Sequence, residues 1–279
     1  YAQDHKPVVK QDEAVGHAVR AGYLYAGIAD VATLTGDNAL IAAIDRIWDN
    51  VVTKKLYLTG GIGARHQGEA FGDAYELPNA TAYNETCAAI ANIYWNHRLF
   101  LLHGDGKYLD VLERTLYNGF LSGVAFNGTE FFYPNPLESD GEFAFNHGTP
   151  TRQPWFHCSC CPPNVERLLA SLPGYVYAYR GDIAYVNLFM SGSAAFTVGG
   201  TAVHFAQETR YPWDGTIKLT VTPDRPSDFT LKVRVPGWVL GRPVPSDLYY
   251  YFNAATPGIA LSVNGERAML VLDLSLIHI

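Results

Sequence analysis

The hydrophobic pattern of this chain changes its period once, near residue 175. Before that point, small and apolar residues recur at helical spacing, as in segment 11–35, and glycine-rich loops separate such segments. After it, apolar and polar residues alternate along 217–221 and 231–235, which is typical of strands with one buried face. The pattern therefore predicts a multi-domain chain in which an α-helical part precedes a β part.

The two parts differ enough to be treated as separate domains. We expect residues 1–174 to be mainly helical and residues 175–273 to be nearly all strand, folded as a β-sandwich with Asn264-Gly265 at a hairpin turn. The last six residues, 274–279, resemble the translation of a common sequencing-library adapter, and the chain begins at Tyr1 rather than at a methionine. We therefore expect a non-native tail and a fragment cut at both ends.

Two parts of the helical domain repeat each other at an offset of 68 residues. Gly36-Asp37 corresponds to Gly104-Asp105, and the residues after each pair also correspond: Leu40, Ile41, Arg46 and Asn50 match Tyr108, Leu109, Arg114 and Asn118. Repeated two-helix units stack into solenoids or close into α/α toroids, and the long irregular loops favour the toroid. Chance similarity of two amphipathic helices is the alternative.

The spacing of apolar residues predicts five helices. They are expected over about 11–35, 38–52, 82–102 and 107–121, and from Pro162-Pro163 onward. Thr81 is the expected cap of the third helix.

Composition excludes several classes of protein. Charged residues make up 17% and hydrophobic residues 48% of the chain, which excludes a disordered protein. The formal net charge is −7 and lysine and arginine form no cluster, so nucleic-acid binding is not expected. No apolar run approaches the length of about 20 residues that a membrane span needs.

All four cysteines lie in the helical part: Cys87, Cys158, Cys160 and Cys161. Four cysteines in 279 residues do not suggest a disulfide scaffold, and the adjacent Cys160 and Cys161 could bridge each other only with strain. Three thiolates with one carboxylate, such as Glu85, form a tetrahedral set that suits Zn²⁺. Spacing alone leaves open whether the cysteines bind metal or are buried structural residues.

A second group of interest is acidic. Glu69 lies in the glycine-rich loop 60–72, and Glu85 follows 16 residues later. Two carboxylates at one site suggest glycoside hydrolysis, whereas Glu69 taken alone is better explained as a solvated loop residue. The segment Gly61-Ile62-Gly63 lacks a preceding strand, so phosphate binding is rejected.

These motifs together resemble those of glycoside hydrolase family 127, the β-L-arabinofuranosidases. The resemblance is carried by GEAFG (68–72), YNETC (83–87), CSCCPPN (158–164), EAVGHAVRAGYLYAG (13–27), FFYPNPLES (131–139) and VPGW (235–238), and it covers residues 3–240. It implies an α/α six-hairpin toroid followed by β-sandwich domains. This chain would hold the second half of the toroid, ending at residue 174, and most of one sandwich.

The resemblance also implies roles for individual residues. The matching zinc ligands are Glu85, Cys87, Cys160 and Cys161; the catalytic residues are Cys160 as nucleophile and Glu69 as general acid/base; the substrate contacts are His17 and Tyr133. Cys158 matches a motif cysteine that is not a ligand. Helical periodicity by itself would make His17 a surface residue beside Glu13 and Arg20.

The implied chemistry is internally consistent. Zinc keeps sulfur deprotonated, and a cluster of three thiolates and a carboxylate stays negative with the ion bound. That charge is expected to raise the pKa of Glu69, so that it keeps its proton as an acid. Two successive displacements, with Cys160 as nucleophile, would retain the anomeric configuration.

Three functions are compatible with these sequence features. The first is an exo-acting retaining β-L-arabinofuranosidase with a glycoside or oligosaccharide substrate. The second is a zinc/cysteine glycosidase for another furanoside, such as a branched acidic sugar of pectin. The third is a zinc-stabilised carbohydrate-binding protein without turnover, which would have no use for Glu69. A homodimer of the full-length protein is left open, and the chain by itself is expected to be nearly inactive.

Overall fold

The computed structural model describes residues 1–253, 258–273 and 276–278. Helices come first: α1 Ala18–Thr35, α2 Asn38–Lys54, α3 Thr86–His103, α4 Gly106–Arg114, α5 Cys161–Ser171 and α6 Pro173–Val176. Short 3-10 turns lie at Val8–Lys10, Gln67–Glu69, Leu121–Gly123 and Gly237–Leu240, and a π-helical turn Thr115–Phe120 continues α4. The strands follow: β1 Tyr177–Arg180, β2 Ile183–Val186, β3 Gly192–Val198, β4 Thr201–Thr209, β5 Ile217–Pro223, β6 Thr230–Arg234, β7 Leu261–Val263, β8 Glu266–Ala268, β9 Leu272–Asp273 and β10 Leu276–His278. The predicted order of helices before strands is confirmed.

The predicted repeat is visible in the helix bounds. Helix α3 begins and ends 68 residues after α1, and α4 begins 68 residues after α2. Gly36 and Gly104 end the first helix of each unit in the left-handed conformation, with φ of 67° and 73°. The side chains of Asp37 and Asp105 then accept backbone hydrogen bonds at the start of the second helix. Both units therefore use the same turn chemistry.

Two helices begin several residues later than the sequence predicts. Helix α1 begins at Ala18 rather than near residue 11, because Gly16 takes a φ of 74° and its carbonyl accepts a hydrogen bond from Phe71. Helix α3 begins at Thr86, so Thr81 is not its cap: the preceding residues run alongside the glycine-rich loop, with Asn84 donating to the carbonyl of Gly63.

Helix α5 begins at Cys161, one residue before the two prolines. The residues that immediately precede α1, α3 and α5 are therefore His17, Glu85 and Cys160. The N-terminus of a helix favours negative charge and offers free N–H groups. The N-termini of these three helices therefore lie next to candidate site residues that the sequence indicated.

Helix α3 forms the centre of the helical part. Fourteen of its residues are buried, among them Trp95, which is fully inaccessible to solvent. Helix α1 approaches it closely at Gly22, where an added Cβ would lie 2.8 Å from the Cβ of Ala91. A larger residue at this glycine would force the two helices apart.

The strands form two main sheets. One has the order β1-β2-β6-β10-β9, in which β2 and β6 pair in parallel and the other pairs are antiparallel; the second has the antiparallel order β3-β4-β5, and β7 pairs with β8 alone. A single hydrophobic cluster takes Val186 and Leu231 from the first sheet and Val203 and Phe205 from the second. The two sheets therefore share one core.

The expectation that residues 175–273 are nearly all strand is wrong for one segment. Between β6 and β7, the described residues form a 3-10 turn and irregular chain. This segment packs on the helical part: Val244 is buried in the main core, the Ser246 hydroxyl donates to the carbonyl of Val52, and the Tyr249 hydroxyl donates to that of Leu56. Contacts with α2 and the loop after it replace strand pairing there.

The end of the chain joins the first sheet. Strand β10 lies between β6 and β9, and Leu276 and Ile277 are buried. Residues 274, 275 and 279 lie outside the described residues. That 274–279 is a non-native tail stays a prediction.

A buried ionic network joins α4 to the β part. The guanidinium of Arg234, fully buried at the end of β6, forms ion pairs with Asp110 and Glu113 and donates to the carbonyl of Asn187. Trp238, in the VPGW motif, donates to Glu113 at 3.3 Å. The motif therefore follows a strand that is tied to the helical part by paired buried charges.

Replacing Arg234 with methionine should lower the free energy of unfolding by about 3–5 kcal/mol, because it leaves Asp110 and Glu113 buried without their counter-ion. The measurement is equilibrium denaturation. Arg225→Met is the matched control: Arg225 is exposed and bonds mainly to the carbonyl of Gly200, so its loss should cost about 0–1 kcal/mol. Equal losses in the two variants would show that the network does not stabilise the interface.

Candidate active and metal site

A cavity of about 910 Å³ opens where the N-termini of α1, α3 and α5 meet the glycine-rich loop. Its lining includes His17, Glu69, Glu85, Cys87 and Cys160, together with Tyr133 and Cys158. The structure therefore brings nearly every residue that the sequence singled out to one cavity. Cys161 lies directly behind the wall and is fully buried.

Four of these residues form a tight cluster. The carboxylate of Glu85 and the sulfurs of Cys87, Cys160 and Cys161 each offer an atom within 4.8 Å of the others. Glu85 Oε1 lies 3.5 Å from the sulfur of Cys160 and 3.6 Å from that of Cys161, and the two sulfurs are 3.9 Å apart. Glu85 and Cys87 lie at the start of α3, and Cys160 and Cys161 lie at the start of α5.

The cluster has the properties of a metal site. Burial raises the pKa of Glu85 and that of the Cys161 thiol well above their ordinary values. Among the residues that the structure describes, Glu85 Oε2 is buried without a hydrogen-bond partner. An unpartnered carboxylate oxygen beside three sulfurs is the donor set that a cation would complete. The residues present therefore fit a metal ion.

Cys160 differs from the other three cluster residues because solvent reaches it. Hydrogen bonds from the thiols of Cys161 and Cys87 lower the pKa of Cys160, with a further contribution from the hydroxyl of Tyr133. The Tyr133 hydroxyl lies 2.9 Å from the Cys160 sulfur and 3.8 Å from that of Cys158. Cys160 is thus the cluster sulfur that solvent reaches, and its hydrogen-bond donors favour the ionised form of its thiol.

Glu69 is held in an unusual backbone conformation. It has a φ of 51° and follows Gly68, whose φ is 71°, in a hairpin closed by two hydrogen bonds between Arg65 and Ala70. A non-glycine residue rarely takes this conformation, and such strain is typical of functional sites. His17 Nε2 lies 2.8 Å from Glu69 Oε2, and the Tyr83 hydroxyl donates to Oε1 at 2.9 Å.

The expectation of a raised pKa at Glu69 is wrong in this structure. The hydrogen bond from His17 holds the pKa of Glu69 below its ordinary value, and that from Tyr83 adds to the effect. Burial and the nearby Cys160 act in the opposite direction but are outweighed. The sequence had indicated the negative cluster but not the two donors.

His17 is not the surface residue that helical periodicity suggested. It is 8% exposed and lies before α1, where its backbone bridges to Ala70 of the glycine-rich loop. Tyr83 is the residue that sequence reasoning missed, although it begins the YNETC motif. Its distance of 14 residues from Glu69 gave no signal of contact, because a loop with left-handed residues brings the two together.

The helical part matches a family model described as the β-L-arabinofuranosidase GH127 catalytic domain over residues 1–174. The chain belongs to glycoside hydrolase family 127. A second model, the GH127 middle domain, matches residues 183–273 of this GH127 chain. The family expected from the sequence motifs is therefore confirmed.

Relatives of the GH127 chain include a non-reducing end β-L-arabinofuranosidase from Bifidobacterium longum subsp. longum. It is 40% identical over 250 residues, which cover 86% of this chain and 38% of the relative. A solved GH127 β-arabinofuranosidase is 57% identical with a TM-score of 0.94, and this chain covers 43% of it. A GH127 β-L-arabinofuranosidase from Geobacillus stearothermophilus T6 is 42% identical with a TM-score of 0.90, with 42% covered. Both structural matches extend over all of this chain.

The chain thus spans less than half the length of these relatives. No helix in the described part of the chain is long and apolar enough to cross a membrane.

Proposed function

We propose that the protein is a retaining exo-glycosidase that removes β-L-arabinofuranose from the ends of glycans. The observation that carries the proposal is the meeting of two groups in one cavity. An accessible thiol, Cys160, lies 3.5 Å from Glu85, and an oxygen of Glu69 lies within 4.8 Å of the same Glu85. A nucleophile and a carboxyl group on one sugar-sized cavity are the minimum set for retaining hydrolysis.

We assign Glu85, Cys87, Cys160 and Cys161 as ligands of a zinc ion, since three thiolates and a carboxylate suit its tetrahedral preference. An ion bound there would keep the cysteine sulfurs deprotonated at neutral pH. The chain itself contributes the helix N-termini that hold Glu85 and Cys160 and the Tyr133 hydroxyl that contacts the Cys160 sulfur. Cys158 is exposed outside the cluster and has no ligand role.

In the proposed reaction, the Cys160 sulfur attacks the anomeric carbon and forms a carbon–sulfur bond. The bond to the leaving oxygen breaks, and Glu69 gives its proton to that oxygen. Glu69 then takes a proton from water, whose oxygen displaces the sulfur and releases the sugar. Each displacement inverts the anomeric carbon, so the product keeps the configuration of the substrate.

Two further residues support this sequence of steps. His17 Nε2 contacts Glu69 Oε2 at 2.8 Å, so it can orient the carboxyl group that serves the leaving oxygen. Tyr133 and His17 both line the cavity, where we propose that they contact the sugar. The strained conformation of Glu69 argues against a binding protein without turnover, because a structural metal cluster has no use for it.

For the fold, we propose that the helices form the second half of an α/α six-hairpin toroid and that the strands form a β-sandwich. The 68-residue repeat of two-helix units supports the first assignment. The hydrophobic cluster shared between the two sheets supports the second.

The test of the proposed function is the anomer of the first-formed product. The gene product that contains these residues, given 4-nitrophenyl β-L-arabinofuranoside, should release β-L-arabinofuranose first, as followed by proton NMR before mutarotation. Other aryl furanosides, including one with a carboxyl group, serve as controls for sugar specificity. Release of the α-anomer would contradict the nucleophile, and faster turnover of the acidic furanoside would contradict the assigned sugar.

A further inference from the structure

Glu69 has a different hydrogen-bond partner on each carboxylate oxygen. The Tyr83 hydroxyl donates to Oε1 at 2.9 Å, and His17 Nε2 lies 2.8 Å from Oε2. His17 lines the cavity, whereas Tyr83 does not and is 5% exposed. Oε1 is therefore turned toward the protein interior, and Oε2 lies on the side of the cavity.

Tyr83 is itself fixed by its surroundings. Its N–H donates to the carbonyl of Ala64 at 3.2 Å, and its own carbonyl accepts from Asn135 at 2.8 Å. Its ring packs edge-on against His66, with centroids 4.8 Å apart. A hydroxyl on so constrained a ring can hold its partner in one orientation, as supporting residues around a catalytic group do.

We propose that Tyr83 is the positioning residue of the acid/base Glu69: its hydroxyl anchors Oε1 and thereby directs Oε2 to the leaving oxygen. This inference rests on the proposed role of Glu69. Tyr83 keeps its proton throughout; the proton that moves is the one on Oε2, which passes to the leaving oxygen as the glycosidic bond breaks. By stabilising the carboxylate that remains, the Tyr83 hydroxyl makes Glu69 a better donor at that moment.

The consequence is a dependence on the leaving group. The leaving oxygen of an alkyl glycoside must be protonated as the glycosidic bond breaks. A 4-nitrophenolate leaving group is stable enough to depart with little protonation. Tyr83→Phe should lower kcat/KM for an alkyl β-L-arabinofuranoside about 10-fold or more, as expected for loss of a hydrogen bond to a charged group. The same variant should change kcat/KM for the 4-nitrophenyl substrate by less than about 3-fold, because that step needs little acid.

Tyr57→Phe is the matched control. Tyr57 is buried against Ala64 and Ala82, the neighbours of Arg65 and Tyr83, and among the described residues its hydroxyl has no hydrogen-bond partner. Both variants and the wild type are assayed in the gene product that contains these residues. Tyr57→Phe should leave both substrates unaffected, since it removes a hydroxyl from the same region without touching Glu69.

Glu69→Gln separates failure of this inference from failure of the proposed function. If Glu69→Gln slows the alkyl substrate selectively but Tyr83→Phe slows both substrates equally or neither, then Tyr83 does not position Glu69. If Glu69→Gln shows no selectivity, the acid/base assignment itself is wrong. Adding Tyr83→Phe to Glu69→Gln should cause no further selective loss for the alkyl substrate, and a full additional loss would also overturn the inference.

Discussion

Replacing Cys160 with serine is expected to lower kcat on an aryl β-L-arabinofuranoside by about 10⁴-fold or more, because the nucleophile is lost. A serine hydroxyl at this position is neither a thiolate nor a good zinc ligand. The metal content of the protein, measured by atomic emission, should therefore fall as well. Circular dichroism should show that the helices and strands remain.

Two cysteine variants separate loss of the nucleophile from loss of metal. Cys158→Ser removes an exposed sulfur of the same motif that lies outside the cluster, so it should keep both metal and most activity. Cys161→Ser removes a buried member of the cluster, and saturating zinc should restore part of its activity. Zinc that restored Cys160→Ser to the same extent would show that Cys160 is a ligand but not the nucleophile.

Replacing Glu69 with glutamine is expected to lower kcat/KM for an alkyl arabinofuranoside by about 10²–10⁴-fold, because an amide cannot donate the proton. The metal content should not change, since Glu69 lies outside the four-residue cluster. With a 4-nitrophenyl leaving group the first displacement should keep much of its rate. Hydrolysis of the intermediate should then become slow, because no carboxylate activates the water.

Glu76→Gln is a useful control for that variant. Glu76 accepts two hydrogen bonds from Arg65 in the same loop but does not line the cavity. The Glu76→Gln substitution should therefore reduce activity far less than Glu69→Gln does. An equal loss would indicate that disturbance of the loop, rather than loss of the acid, explains the effect.

Much of the fold follows from local sequence patterns. The change of hydrophobic period and the Gly-Asp pairs at residues 36–37 and 104–105 depend on neighbouring residues, and the structure has both the helix-to-strand order and the repeat. The segment between β6 and β7 was mispredicted because Val244 and Tyr249 are buried against distant residues of the helical part. Burial in this segment depends on tertiary contacts, which the alternation of apolar and polar residues along the sequence does not predict.

In the candidate site, too, some features follow from local sequence and others depend on tertiary contacts. The motifs indicated the cysteines and carboxylates, but not that His17, Glu85 and Cys160 each immediately precede a helix. That placement depends on where α1, α3 and α5 begin, and those ends are decided by long-range hydrogen bonds to the glycine-rich loop in the first two cases. The lowered pKa of Glu69 likewise depends on donors from two other segments, His17 and Tyr83. Neither the starts of these helices nor the hydrogen bonds to Glu69 could be predicted from local sequence.

Mass spectrometry of the Glu69→Gln gene product shows whether a cysteine sulfur carries the sugar during turnover. After reaction with 4-nitrophenyl β-L-arabinofuranoside and rapid acid quenching, the digested protein should contain one pentosyl group in the peptide that includes Cys160. Fragmentation should place that group on the Cys160 sulfur, and Glu69→Gln/Cys160→Ser should show no adduct. A pentosyl group on a carboxylate such as Glu85, or on no residue while turnover continues, would show that Cys160 is not the nucleophile.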